Sequence, residues 1–261
     1  MLEGFDKLAG AIGDTLKTAP TFYEDALQPS VQEIGKFAAR IPRAINAAFS
    51  GLDKWILNKE YNVDETKKLI AQKLENVDPE KIVTPDAYVA VPTIQAISYS
   101  MDSEELRNLY ANLLAKAMNS DTKEQVHPSF VEIIKQLSPI DSLVFKTIMQ
   151  RDTNAIINLI YENDDGDFRY ITSNVTDITI SSTEIVSVSI DNLVKQGIIS
   201  IATDTYIDDH AYDKIISSNF YKLKQMSCPI TPDGFKFSYQ KRIINKTNIG
   251  ILFYKVCVAE L

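Results

Sequence analysis

Residues 84–148 read TPDAYVAVPTIQAISYSMDSEELRNLYANLLAKAMNSDTKEQVHPSFVEIIKQLSPIDSLVFKTI. This stretch decides the fold class. Thr84 with Pro85 predicts a helix start, and Val89, Thr93, Ala96, Ile97 and Ser100 follow at helical spacing, with a kink expected at Pro92. Asp102 with Glu105 gives a capping-box spacing before the stripe Leu106, Leu109, Tyr110, Leu113, Leu114, Ala117. His127-Pro128 opens a third helix that buries Phe130, Ile133, Ile134 and Leu137. Ser138-Pro139 with Asp141 opens a fourth carrying Leu143, Val144, Phe145 and Ile148. Four punctuated starts in so short a run predict packed helices.

Outward toward the N-terminus the pattern stays helical. Leu2, Phe5, Leu8, Ile12 and Leu16 mark a first amphipathic stripe, and Pro20, Pro29 and Pro42 each read as a further start. Asn62 or Asp64 is expected to cap another helix, with Leu69, Ile70 and Leu74 inward. Between Gly35 and Lys59 the bases Lys36, Arg40, Arg43, Lys54 and Lys59 face one acid, Asp53, in company with Trp55. A basic amphipathic helix of this kind can lie on an anionic membrane, with Lys36, Arg40, Arg43 and Trp55 at its surface. The alternative is a core helix with a solvated basic face. The small residues Gly35, Ala38, Ala39, Ala44, Ala47, Ala48 and Gly51 favour that packing reading.

After Met149 the texture changes. Residues 155–161 and 167–173 flank Asn163-Asp164-Asp165-Gly166 and predict a hairpin. Ser181 with Glu184 predicts a helix with Ile185, Val188, Leu193 and Val194 inward, ended by Gly197. Residues 198–202 then read as a strand and 208–220 as a helix. A second hairpin is expected from 221–230 and 235–244, and Thr247 is expected to cap a final helix. The predicted fold is α+β, a helical part over 1–150 and a winged-helix-like module with two hairpins over 151–261.

Composition narrows function by exclusion. The chain has 261 residues, a net charge of −8 and two cysteines. The acidic balance argues against nucleic acid as a partner of the whole surface. Within the winged-helix-like module, Glu184 and Asp191 stand on the candidate recognition helix against Lys195 alone, so a DNA-binding regulator is the weaker alternative. Two cysteines are too few for a disulfide framework and fit reduced thiols. Met1 leads into no basic segment and apolar core of a signal peptide, and no uncharged apolar stretch is long enough to span a membrane. The expected location is cytoplasmic, with peripheral attachment to the inner membrane as the variant.

No residue set points to a reaction. His127 and His210 are the two histidines, and neither stands in metal-ligand spacing with Cys228. The chain has no Gly-rich phosphate loop, G-x-S-x-G or H-E-x-x-H. No catalytic residue, metal or cofactor is therefore expected, and an enzyme is not predicted. His127 reads either as an anion-facing imidazole at a helix start or as a cap before Pro128, and the cap is preferred.

The segments YVAVPTIQAISYSMDSEELRNLYANLLAKAM and VHPSFVEIIKQLSPIDS resemble the abortive infection alpha (Abi-alpha) family of bacterial proteins. The resemblance is carried by Pro92, Glu105, Leu106, Arg107, Tyr110, Asn112, Leu113, Leu114 and Ala115, then His127, Pro128, Phe130, Ile134, Leu137, Ser138, Pro139 and Asp141. Thr247 to Gly250, Phe253 and Cys257 are similar to the family's ending. The resemblance implies a part in phage defence and transfers no catalytic residue. It suggests an interaction or sensor protein with a protein partner or phage component. Arg107 and Asn112, beside the apolar stripe, and His127 are the candidate contacts; for Arg107 and Asn112 the alternative, held at least as strong, is a helix-packing hydrogen bond.

Overall fold

The computed structural model describes residues 42–47, 60–97, 100, 102–202, 208–228 and 234–259. The helices expected between residues 2 and 41, and the residues Lys36, Arg40 and Trp55, lie outside the described residues.

The helical part comprises a short helical segment at 42–47, α1 (Glu60–Leu74), α2 (Ala87–Ile97), α3 (Glu104–Ala117), α4 (Ser129–Lys135) and α5 (Pro139–Gln150). Helix α3 is its axis. Leu109 to Ala115 are all buried, on every side of the helix, because α1, α2, α4 and the C-terminal turn surround it. A helix apolar all round belongs in an interior. Leu113 has no exposed surface, so truncating it to Ala costs about 2–5 kcal/mol. Pro92 sits inside α2, as expected.

Local caps decide where these helices begin, and three differ from expectation. Ser103, not Asp102, caps α3, accepting from the Leu106 amide at 3.3 Å. Its hydroxyl also donates to Glu105 at 2.9 Å, so a serine one position on takes the role predicted for the aspartate. Helix α2 starts at Ala87, with the Asp86 carbonyl accepting the first amides, and leaves Thr84-Pro85 outside. Helix α1 already runs at Glu60, ahead of both Asn62 and Asp64. At α5 the expectation holds. Ser138 Oγ accepts from Asp141 N at 3.1 Å and Ser138 N donates to Asp141 Oδ2 at 2.7 Å, a full capping box. Leu143, expected inward on α5, faces solvent, while Val144, Phe145 and Ile148 are buried.

All strands among the described residues lie after residue 150. They are β1 (Ala155–Glu162), β2 (Phe168–Val175), β3 (Ile199–Ala202) and β4 (Lys236–Lys246), joined antiparallel in the order β2-β1-β4-β3. The fold is α+β. The β1–β2 hairpin forms as predicted, with Gly166 at φ 85° supplying the turn's left-handed position. The β1–β2 register shifts on either side of Leu159. There Asn174 takes φ 58°, its amide bonding to Asn158 Oδ1 at 3.1 Å and its side chain donating to Asp191 at 2.6 Å.

The second hairpin does not form. The arm expected as a strand is helical, α8 (Asn219–Ser227), capped by Ser218 accepting from Tyr221 N. Tyr-Lys-Leu-Lys alternates like a strand, but the segment packs on the face of the sheet, where Tyr221 meets the Phe237 and Tyr239 rings edge-on at 5.2 and 5.8 Å. The helix expected at 208–220 is instead a 3-10 turn (Asp209–Tyr212), the single turn α7 (Asp213–Ile216) and the start of α8.

Helix α6 (Thr183–Lys195) is capped by Ser182, one residue after the expected Ser181. Its buried face is Val186, Ser189, Ile190 and Leu193. Ile185, Val188 and Val194, expected inward, are exposed, so the true stripe is turned by one residue except at Leu193. Thr247 caps α9 (Asn248–Phe253) as predicted, and the chain continues into a π-helical turn, Tyr254–Val258.

The sheet lies between two apolar layers. One buried cluster holds Leu113, Phe130, Phe145 and Ile148 together with Ile156, Ile190, Ile244 and Phe253, from both sides of residue 150. Phe253 meets Phe130 and Phe145 edge-on at 5.4 and 5.5 Å. The opposite sheet face packs Ile157 and Leu159 against Tyr212, Ile215 and Tyr221.

Candidate functional site

Arg107, Asn112 and His127 do not converge. Helix α3 carries the first two on different sides, because five residues turn a helix by about 500°, well past one full rotation.

Asn112 is 4% exposed, and its Nδ2 donates to the Cys257 carbonyl at 2.8 Å. Its amide is used inside the fold, pinning the π-helical turn to α3. It presents nothing to a partner, contrary to its candidacy as a contact. Burial favours the packing alternative: a polar residue beside an apolar stripe reads as an outer edge, and α3 has no outer edge at that level.

His127 is exposed at the start of α4. Its Nδ1 accepts from Ser129 N at 3.2 Å and lies 2.7 Å from Ser129 Oγ. An accepting Nδ1 places the proton on Nε2 in the neutral ring. The N-cap residue of α4 is Pro128, with no side-chain cap, so the imidazole, expected as the cap, meets only the first helical amide from one residue further out. Its ring lies tilted against Phe130 at a centroid distance of 6.0 Å.

Arg107 is half-buried and lines a cleft of about 240 Å³ between α1 and α3. Lys68, Gln72, Glu104 and Asn108 line it too. The lining mixes both charges with amides over the apolar floor of Leu69 and Ile97. Such a surface offers hydrogen-bonding and charged side chains; the lining residues include no Ser, Cys or His paired with a base. Among the described residues no group of three His, Cys, Asp or Glu is placed to hold a metal ion.

A wider cleft of about 610 Å³ opens where α2, α3 and α5 meet, lined by Ser100, Ser103, Leu106, Lys135 and Pro139, with Tyr110 beneath. The Tyr110 hydroxyl has no hydrogen-bond partner among the described residues. Burial pushes its phenol up to about 12, with the neighbouring Ser100 hydroxyl opposing the shift. Sequence reasoning passed over Tyr110 because a tyrosine at a core position of a helical stripe reads as packing.

Arg43 is exposed on the 42–47 segment, while Ile45 is 4% exposed and Ala44 packs with it against Ile70, Leu74 and Ala90. The apolar side of this short segment faces the protein interior. No helix among the described residues is long and apolar enough to cross a membrane. On α6, the outward face presents Ile185 and Val188 with Glu184 and Asp191 and a single cation, Lys195, a surface with more acid than base.

Comparison with known proteins agrees with the motif residues. The family model for abortive infection alpha matches residues 58–257. No curated protein matches. One similar solved structure is an uncharacterized protein from the hydrocarbon-degrading marine bacterium Alcanivorax borkumensis SK2, 11% identical, covering 54% of this chain and 96% of that one with a TM-score of 0.35. The family match runs from α1 to the π-helical turn and takes in both the helical part and the sheet, so this chain belongs to the Abi-alpha, or abortive infection alpha, family.

Proposed function

We propose that the protein acts in bacterial phage defence by abortive infection, as a non-enzymatic interaction or sensor protein. The observation that carries this reading is the family match over residues 58–257. The open, mixed-charge cleft around Arg107 supports recognition, since its side chains suit hydrogen bonding to a polar partner and lack a nucleophile with its base. The partner is a host protein or a phage component. The buried Ile45 and the acidic outward face of α6 give no specific support to the membrane-surface or DNA-binding alternatives. Phage challenge of a bacterial host expressing the gene, alone and with its genomic neighbours, tests the role. Fewer plaques with collapse of the culture at high phage dose is the expected result, and no protection against a broad phage panel removes the reading.

A further inference from the structure

We propose that the outer edge of β2, at the free end of the β1–β2 hairpin, docks an extended basic segment of a partner protein. The proposal rests on the interaction-protein reading above and names the chemistry of the partner.

Among the described residues, strand β2 is an end strand, paired only with β1. Asn163 N donates to Asp167 O at 3.1 Å at the mouth of the turn. The alternation of an antiparallel ladder then turns the backbone amides of Phe168 and Tyr170 away from β1. Exposed edges of this kind are usually blunted by lysines, proline, a bulge or a covering element. Here the irregular register lies at the far end, while pairing is regular from Glu162 with Phe168 to Ile160 with Tyr170. Residues 164–170 are all exposed, and burial sets in only toward Asn174 and Val175, where α6 reaches the strand through Ser187 and the Ser173 carbonyl.

In place of lysines this edge carries two aromatics. Phe168 is 45% and Tyr170 58% exposed, and they stack edge-on at 5.4 Å. Beside them stand Glu162, Asp164, Asp165 and Asp167. Lys236 reaches Asp164 at 3.1 Å, and among the described residues no cation pairs with Asp165 or Asp167. The Arg169 guanidinium lies 4.3 Å from the centroid of the Phe235 ring. An added strand would therefore meet main-chain groups, a flat aromatic pair and the carboxylates of Asp165 and Asp167 at one end. Strand addition satisfies the first, and lysine or arginine side chains satisfy the other two through ion pairing and cation–π contact. Charge complementarity thus selects a basic extended segment over an acidic one or a helix.

The test uses the full chain and a fluorescein-labelled decapeptide of alternating Lys and Val, with the Glu-for-Lys peptide as its counterpart. Fluorescence anisotropy is read across a salt series. The lysine peptide binds, binding weakens as salt rises, and the glutamate peptide does not bind. Asp165→Asn and Tyr170→Thr, which keep a turn residue and a strand former in place, each weaken binding by about tenfold. Equal binding of both peptides, or unchanged binding by both variants, overturns the proposal. Self-association of the wild type that Tyr170→Thr abolishes, seen by light scattering on a sizing column, also overturns it, in favour of a second copy as occupant. Plaque protection is scored separately. A wild type that binds the peptide without protecting leaves the docking edge standing and removes the defence role; one that protects without binding does the reverse.

Discussion

The side-chain amide of Asn112, in the middle of α3, donates to the backbone carbonyl of Cys257 at 2.8 Å across 145 residues of sequence. This bond joins the central helix to the last turn of the chain. Cys257 is itself fully buried, and burial pushes its thiol well above the usual range, so it behaves as a small apolar side chain. Asn112→Ala leaves the Cys257 carbonyl buried and unpaired. The expected loss is about 1–3 kcal/mol, a fall of several degrees in melting temperature, checked by thermal unfolding. An unchanged melting temperature contradicts the structural role assigned to Asn112.

His127→Asn is expected to fold normally. Asparagine offers an oxygen where Nδ1 now accepts from Ser129 N, and the ring is exposed. Stability should stay within about 0.5 kcal/mol of wild type, with plaque protection retained. Lost protection in a variant of unchanged stability makes His127 a contact residue.

Gly250→Ala is expected to be severe. A Cβ at Gly250 would collide with the backbone carbonyl of Ile198, which cannot move without shifting the start of β3. Because the obstacle is backbone, the predicted loss exceeds about 3 kcal/mol. Urea unfolding measures it, and a loss under 1 kcal/mol, roughly that of an ordinary surface change, would show that α9 and β3 are not held this closely.

His210 gives a pH signature. The hydrogen bond from its ring to Asp213 at 3.0 Å raises its pKa, and the charges of Asp208, Asp213 and Asp209 add to the shift. A raised folded-state value means the pair stabilises the fold below the ordinary histidine pKa. That contribution disappears as pH rises through the folded value. The site is solvent-exposed, so the readout is the proton shift of the imidazole in NMR. His210 should titrate above the ordinary value, and Asp213→Asn should move its midpoint down. No change in that variant contradicts the pairing.

Much of the fold was legible because its signals are local. Ser138 and Asp141 bond to each other as their spacing requires, and Thr247 caps α9 from its own hydroxyl. What failed was set by distant groups. Residues 221–227 alternate like a strand, yet Leu223 and Met226 stay exposed while Tyr221 alone is buried, against Phe237 and Tyr239. Periodicity could not show that Tyr221 packs against the face of β4 and not along its edge. On α6 the apolar residues outnumber one face, so Val186 and Ile190 could be told from Ile185 and Val188 only by what α5 and the sheet cover. The candidate contacts divided on the same principle. Asn112 looked like an outer edge because the surroundings of α3 are not written in α3, whereas the contacts of His127 with Ser129 lie within its own stretch of sequence, although Pro128 takes the N-cap position.

The central claim is a recognition role in phage defence, and one measurement tests it most directly. Plaque formation is counted on hosts expressing the wild type and Arg107→Gln, with melting temperatures of both proteins measured in parallel. Arg107 lines the polar cleft between α1 and α3, where glutamine keeps the hydrogen-bonding capacity and removes the charge. The account predicts that the wild type lowers plaque numbers, that cultures collapse at high phage dose, and that Arg107→Gln loses protection with its melting temperature unchanged. A wild type that gives no protection against a broad phage panel, with or without its genomic neighbours, contradicts it.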